Sequence, residues 1–308
     1  MLPTPRPDFV IPGTRGSGPP SSLCWSSANG RTLGTRVSAM ALRVAPNPRP
    51  LAPEGRRPPG LRADARLRLG RDRRFGPGRP CSDSLRNGAS GMLEPRIGSL
   101  LVQYYETFLL DQDIEKFRRH VSARYTEGTL ARLVESGTMQ ARRAAVLSLG
   151  LFGGFENNAT LARALSDEDA TVRSLADHAL WTIWLRADTP ENNATLERVR
   201  DLIAHRLLVQ AIELATQLVE RAPGFAEAYN QRAIAHYHWG KFEESAADCR
   251  SVLHLNPYHF GALSGLAKCQ LRLGRRQEAL ENFRRALQLQ PHSEGLRKVV
   301  AALEAECG

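Results

Sequence analysis

No stretch of this 308-residue chain approaches the roughly 18 consecutive apolar residues that a membrane-crossing helix needs, so no membrane span is expected. No apolar h-region follows the amino terminus either, which argues against secretion. The five cysteines, Cys24, Cys81, Cys249, Cys269 and Cys307, form no C-x-x-C pair, so the usual spacings of structural zinc and of redox dithiols are missing. Cys249 and Cys269 are therefore expected to be buried free thiols in a reducing compartment. Without a signal peptide, the sequons Asn158-Ala159-Thr160 and Asn193-Ala194-Thr195 have no bearing on function. The phosphate-cradling G-x-x-x-x-G-K-[ST], the metal-binding H-E-x-x-H and the nucleophilic G-x-S-x-G are all absent. Gly13-Thr14-Arg15-Gly16-Ser17-Gly18 is glycine-rich but follows no strand. His236 and His238 stand two apart on an expected helix and point about 200° away from each other, while His254 and His259 straddle Pro257 on different elements. The expectation is a protein that is not an enzyme, with no catalytic residue, no cofactor and no metal.

Lysine is missing from residues 1–91, which hold 16 Arg against 5 acidic residues, a balance of +11. The other 217 residues carry 26 basic and 27 acidic residues, or −1, so the whole-chain charge of +10 belongs to the first segment. That segment is crowded with Pro, Gly, Arg and Ser and has no Tyr. It lacks the apolar side chains to offset its ordering entropy, and disorder is expected. Three roles compete for it. It reads as a leader translated from GC-rich upstream DNA and foreign to the native protein, since Met92 stands just before the first periodic helix. It also reads as an organellar transit peptide, or as an arginine-rich nucleic-acid-binding arm. Nucleic acid is expected as a partner only through this tail.

From residue 92 onward the periodicity is helical throughout. Leu100, Leu101, Tyr104, Phe108 and Leu109, then Ile114, Phe117, Val121 and Tyr125, recur at helix spacing on either side of Asp111-Gln112-Asp113. Two helices are expected there, capping the array behind them, with a dimer face through Tyr104 and Tyr105 as the alternative. Next, LARLVESGTMQARRAAVLSLG and LARALSDEDATVRSLADHALW align at an offset of 31 residues, which sets Leu130 on Leu161, Val134 on Leu165, Arg142 on Arg173, Ala145 on Ala176 and Leu149 on Leu180. The pattern resembles short HEAT-type repeats over residues 129–187, of the kind related to bilin lyases. Trp181 and Trp184 depart from the small residues such repeats place there and are expected to pack at the joint with residue 192 onward. The hexapeptide Glu-Asn-Asn-Ala-Thr-Leu occurs at 156–161 and again at 191–196. Both copies are expected to start a helix with an Asn N-cap.

A second period governs the remainder. Pro223, Pro257 and Pro291 stand 34 residues apart, as do Gly240 and Gly274. Glycine reverses the chain after a first helix, and proline stops the second. Small Ala233 and Ala267 face bulky Tyr229, Tyr237, Leu263 and Leu271. These residues at this spacing resemble the tetratricopeptide repeat, in full copies at 226–259 and 260–293 and in a degenerate copy at 192–225, where Arg206 replaces the turn glycine. Ser293 to Glu306 should form a C-terminal capping helix, with Leu296, Val299, Val300 and Leu303 on one face. The expected fold is all-α, a helical-repeat solenoid: tail 1–91, helices and HEAT-like hairpins 92–187, tetratricopeptide hairpins 188–308.

The resemblance implies a concave groove lined by the first helix of each hairpin. The positions facing it are Glu227, Asn230, Ile234 and His238, then Ser264, Lys268 and Arg272. Asn230 could bond an extended main chain, and Lys268 and Arg272 could pair with a carboxylate. The family's carboxylate clamp is only partly met, because Lys268 stands where Asn is common and Gly265 occupies another clamp position. The function expected is a cytoplasmic protein–protein interaction scaffold that holds a peptide segment in the groove. The alternatives are nucleic-acid binding through the tail and a bilin-lyase-like HEAT-repeat enzyme, and organellar localisation follows if the tail is a transit peptide.

Overall fold

A computed structural model describes residues 97–307. The expectations for residues 1–91 lie outside the described residues. Those described form thirteen α-helices and no strand. No helix among them is long and apolar enough to cross a membrane.

The helices α1 (Ile97–Asp111) and α2 (Ile114–Ser122) are separated by Gln112, whose φ of 58° reverses the chain. Asp113 then caps α2 by accepting from the Lys116 amide at 2.9 Å. Both helices pack on α4 (Met139–Phe152), which pairs with α3 (Glu127–Ser136). Tyr105 is buried there beside Phe108 and Phe117 and so serves the core rather than a dimer face. Burial pushes the Tyr105 phenol up to about 12.

After a 3-10 turn at Phe155–Asn157 come α5 (Asn158–Ala164) and α6 (Ala170–Leu185). The starts of α3 and α5, and those of α4 and α6, differ by the 31 residues of the sequence offset. The aligned pairs Leu130 and Leu161, Val134 and Leu165, Ala145 and Ala176, and Leu149 and Leu180 are all buried. Arg142 donates to the Gly137 carbonyl at 3.3 Å and Arg173 to the equivalent Glu168 carbonyl at 2.9 Å. Arg142 also reaches forward to the Asp167 carboxylate, and Arg143 to that of Asp169, tying one hairpin to the turn of the next. At the far end, Arg186 donates to the carbonyls of Leu149, Leu151 and Gly153 at the C-terminal end of α4.

Three further hairpins follow: α7 (Pro190–Ala204) with α8 (Leu208–Arg221), α9 (Ala226–Trp239) with α10 (Phe242–Leu255), and α11 (Phe260–Arg272) with α12 (Arg276–Leu289). The last helix, α13 (Glu294–Cys307), lies on α12. Each second helix ends two residues before Pro223, Pro257 or Pro291. The three hairpin turns share one left-handed residue, Arg206 (φ 61°), Gly240 (φ 83°) and Gly274 (φ 79°). Their backbone bonds also match: the amides of Arg206, Gly240 and Gly274 donate to Ile203, Tyr237 and Leu271, and the next amides donate to Leu202, His236 and Gln270. Arg206 therefore does what the glycines do, with a Cβ attached.

Candidate functional site

The 34-residue offset stacks the first helices α7, α9 and α11 side by side, so that equivalent positions form rows across the concave face. One row is Asn193, Glu227 and Gly261, and deeper rows hold Arg200, Ile234 and Lys268, then Ala204, His238 and Arg272. The two halves of this face differ.

In the half nearest the inter-hairpin loops, the face is covered by α6 of the same chain. Trp184 stacks on His259 with centroids 4.3 Å apart and planes at 19°, and Trp181 meets His259 and Phe260 edge-on at 5.3 and 5.6 Å. Gly261 leaves room for this approach, since a Cβ there would lie 2.8 Å from Trp181 Cη2. Most polar atoms beneath are matched, Asn230 Oδ1 and Asn256 Nδ2 excepted. Trp184 Nε1 donates to Asn158 Oδ1 at 2.8 Å, and Asn158 Nδ2 donates to Asn256 Oδ1 at 2.8 Å. His259 Nδ1 accepts the Ala262 amide at 2.9 Å, which places the ring proton on Nε2, 3.1 Å from Glu227 Oε2. Glu227 Oε1 accepts from Asn230 Nδ2 at 2.8 Å and Gln231 Nε2 at 2.7 Å. At the edge of the same joint, Gln290 Nε2 donates to Asp177 Oδ1 at 2.9 Å, and burial raises the Asp177 carboxyl to about 6.

This placement corrects the groove reading for three residues. Glu227, Asn230 and Ile234 are buried, and the Asn230 amide nitrogen is engaged by Glu227, so none of them presents a surface to a peptide. Trp181 and Trp184 do pack at the joint with the repeats after residue 192, chiefly against His259 and Phe260. The two Asn hexapeptides are not N-caps. Asn157 holds the cap position without a side-chain bond, and Asn158 serves the joint. In the second copy Thr189 is the cap, Asn193 bonds back to both the amide and carbonyl of Asp188, and Asn192 accepts from Arg221 at 2.7 Å.

The other half of the face, towards the hairpin turns, stays open. His238, Ser264 and Lys268 are partly buried there and Arg272 is exposed, its guanidinium 4.6 Å over the Phe242 ring. Arg206 donates to His238 Nδ1 at 3.3 Å. Burial, then the Arg206 charge, pull the His238 pKa below the ordinary imidazole range. At pH 7 this half therefore offers neutral imidazole and hydroxyl groups among the guanidinium and ammonium groups of Arg206, Arg272 and Lys268. A separate open hollow of about 330 Å³ lies between the end of α6 and the start of α7, lined by Thr182, Leu185, Arg186, Asn193, Ala194 and Glu197. Among the described residues no three His, Cys, Asp or Glu side chains converge as metal ligands. His236 and His238 have different neighbours, Asp248 and Arg206. Sequence reasoning missed His259, Asn158 and Asn256. The signal for the joint was the tryptophan pair three apart on α6.

Comparison with known proteins agrees with the hairpin geometry. Tetratricopeptide repeat profiles match residues 196–260 and 260–293. A TPR repeat-containing protein of Rhizobium etli is 33% identical over 81 residues, covering 26% of this chain and 40% of that one. The WD and tetratricopeptide repeats protein 1 of Mus musculus is 35% identical over 122 residues, 35% of this chain and 18% of the mouse protein. The matches thus span less than half the length of these relatives. Among solved structures, the first TPR of Spaghetti (RPAP3) bound to an HSP90 peptide superposes at a TM-score of 0.38 with 20% identity, covering 39% of this chain and 95% of that one. Over residues 196–293 the chain is similar to the tetratricopeptide repeat family.

Proposed function

We propose that the protein is a non-catalytic interaction scaffold that binds a short acidic peptide segment in the open, turn-side half of its concave face. The observation that supports this most directly is the contrast between the two halves. The loop-side half is sealed by α6, whereas the turn-side half keeps Arg272 exposed and His238, Ser264 and Lys268 partly exposed beside Arg206. Cations here suit carboxylates, and a hydroxyl and an imidazole suit an extended main chain. With half the face covered, only a few peptide residues fit.

The test uses the full chain and fluorescent acidic and neutral peptides of equal length. Acidic peptides should bind more tightly, with an affinity that falls as salt rises, and Arg272→Glu combined with Lys268→Glu should abolish the preference. Equal binding of both peptide sets, or a preference unmoved by the double reversal, would remove the assignment.

A further inference from the structure

The interfaces between successive hairpins repeat one contact. The 34-residue offset makes Ala215, Cys249 and Phe283 equivalent on α8, α10 and α12, and Ala235, Cys269 and Leu303 equivalent on the helices that follow. Each pair shares a buried cluster: Ala215 with Ala235, Phe283 with Leu303, and Cys249 with Cys269 among Ala233, Ala246 and Leu266. Two alanines suffice for the packing at the first interface, and an aromatic with a leucine at the third. The middle one sets two thiols against each other. Both are fully buried and hydrogen-bond to one another, and the Cys269 thiol also donates to Ser245 Oγ at 3.1 Å, whose hydroxyl donates to the Ala233 carbonyl at 2.7 Å.

We propose that Cys249 and Cys269 are a modification site, a thiol pair that a hydroperoxide oxidises to a disulfide stapling α10 to α11. The hydrogen bond with Cys249 lowers the Cys269 pKa, while that same bond and burial raise the Cys249 pKa, so Cys269 is the attacking sulfur. Its thiolate attacks the peroxide O–O bond, becomes a sulfenic acid, and releases an alkoxide or hydroxide that takes up a proton. The Cys249 sulfur then displaces hydroxide from Cys269 Sγ, closing the S–S bond as its own proton leaves with that group as water. Two thiols and one hydroperoxide give one disulfide, one alcohol or water, and one further water, with two electrons passing from sulfur to peroxide oxygen. Because both sulfurs are covered, the reaction proceeds through transient opening of the α10–α11 contact. Once formed, the bond fixes the second hairpin to the third, on which Lys268 and Arg272 are carried.

The test treats the native full-length chain with hydrogen peroxide, alkylates the remaining thiols, and maps the unreduced digest by mass spectrometry. A linked peptide pair joining Cys249 to Cys269 is expected, together with a melting temperature raised by several degrees and reversed by dithiothreitol. In Cys249→Ala the link should vanish and Cys269 should become trappable by dimedone as a sulfenic acid. Alanine stands at the equivalent position of the first interface, so this variant should fold, and the wild-type map decides the matter even if it does not. Oxidation of Cys24, Cys81 or Cys307 while Cys249 and Cys269 remain thiols would overturn the proposal. So would a link that forms only in urea.

Discussion

Replacing Arg206 by glycine should stabilise the protein, although it deletes a side chain with a visible partner. Arg206 holds φ at 61° in the turn where the next two hairpins use Gly240 and Gly274. An L-residue in the left-handed region carries a Cβ-to-carbonyl clash of about 1–2 kcal/mol, which glycine relieves. Against this, glycine enlarges the unfolded ensemble by roughly 0.4–1 kcal/mol, and the exposed contact with His238 is worth a few tenths. The net expected gain is about 0.5–1 kcal/mol, or roughly 2–3 °C in melting temperature for a folded region of this size. The reverse substitutions calibrate the estimate. A Cβ at Gly240 or Gly274 would meet nothing within 4 Å, so Gly240→Ala and Gly274→Ala test backbone conformation alone and should each cost about 1 kcal/mol. Urea and thermal melts followed by circular dichroism measure all three. A neutral or destabilising Arg206→Gly alongside destabilising glycine replacements would show that the Arg206 side chain, through His238, outweighs the strain.

The joint supports three further measurements. Asn158→Ala should cost about 2–4 kcal/mol in urea melts because it strands the buried Trp184 indole N–H and removes one of the two donors to Asn256 Oδ1, whereas Asn193→Ala, in the identical hexapeptide, should cost no more than about 1 kcal/mol. Gly261→Ala pushes a methyl against the Trp181 ring, which cannot shorten as a flexible chain would. It should lose about 1–3 kcal/mol and red-shift the tryptophan emission. Asp177 has a folded pKa of about 6 above its ordinary 3.8, so its contribution to stability is fully present below about pH 4 and is lost as the pH rises through 6. Asp177→Asn should therefore raise stability at pH 7.5 by about 2 kcal/mol and change it little at about pH 3, as read from urea midpoints at the two values.

How much of this was legible in the sequence depends on whether a feature is periodic. The 31- and 34-residue offsets appear as helix starts 31 apart at Glu127 and Asn158 and as left-handed turn residues 34 apart at Arg206, Gly240 and Gly274, because hairpin repetition dictates both residue type and spacing. The Asn hexapeptide shows the opposite case. Its copies are chemically identical, yet Thr189 supplies a cap to one, while the other is drawn to Trp184 and Asn256, the latter almost a hundred residues away. No local pattern encodes that partner. The groove reading failed at Glu227, Asn230 and Ile234 for a similar reason. Helical spacing fixes which side chains face inward on α9 and α11, but what covers Glu227 and Asn230 comes from the joint that α6 makes with His259, and Ile234 is buried against Val199, Ile203, Ala211 and Ala215 of α7 and α8.

Glu227 is where the structural and peptide-binding readings of that face can be separated. Its carboxylate receives three buried donors, from Asn230, Gln231 and His259, and His259 in turn lies flat beneath Trp184. Glu227→Ala leaves all three donors without an acceptor in a volume that solvent does not reach. Each stranded group costs about 1–3 kcal/mol, so a loss of about 3 kcal/mol or more is expected. Glu227→Gln keeps a carbonyl acceptor but adds an amide that needs one, and should fall between wild type and alanine. If the network holds α6 on the second and third hairpins, the tryptophan emission of Glu227→Ala should shift at lower urea than the loss of helix, because the joint opens before the hairpins melt. Were Glu227 part of a peptide site instead, its removal would weaken acidic or neutral peptide binding and leave the urea midpoint where it was. A destabilised variant that still binds acidic peptides through Arg272 and Lys268 would place recognition in the turn-side half, and leave the loop-side half as the seam that aligns the two arrays.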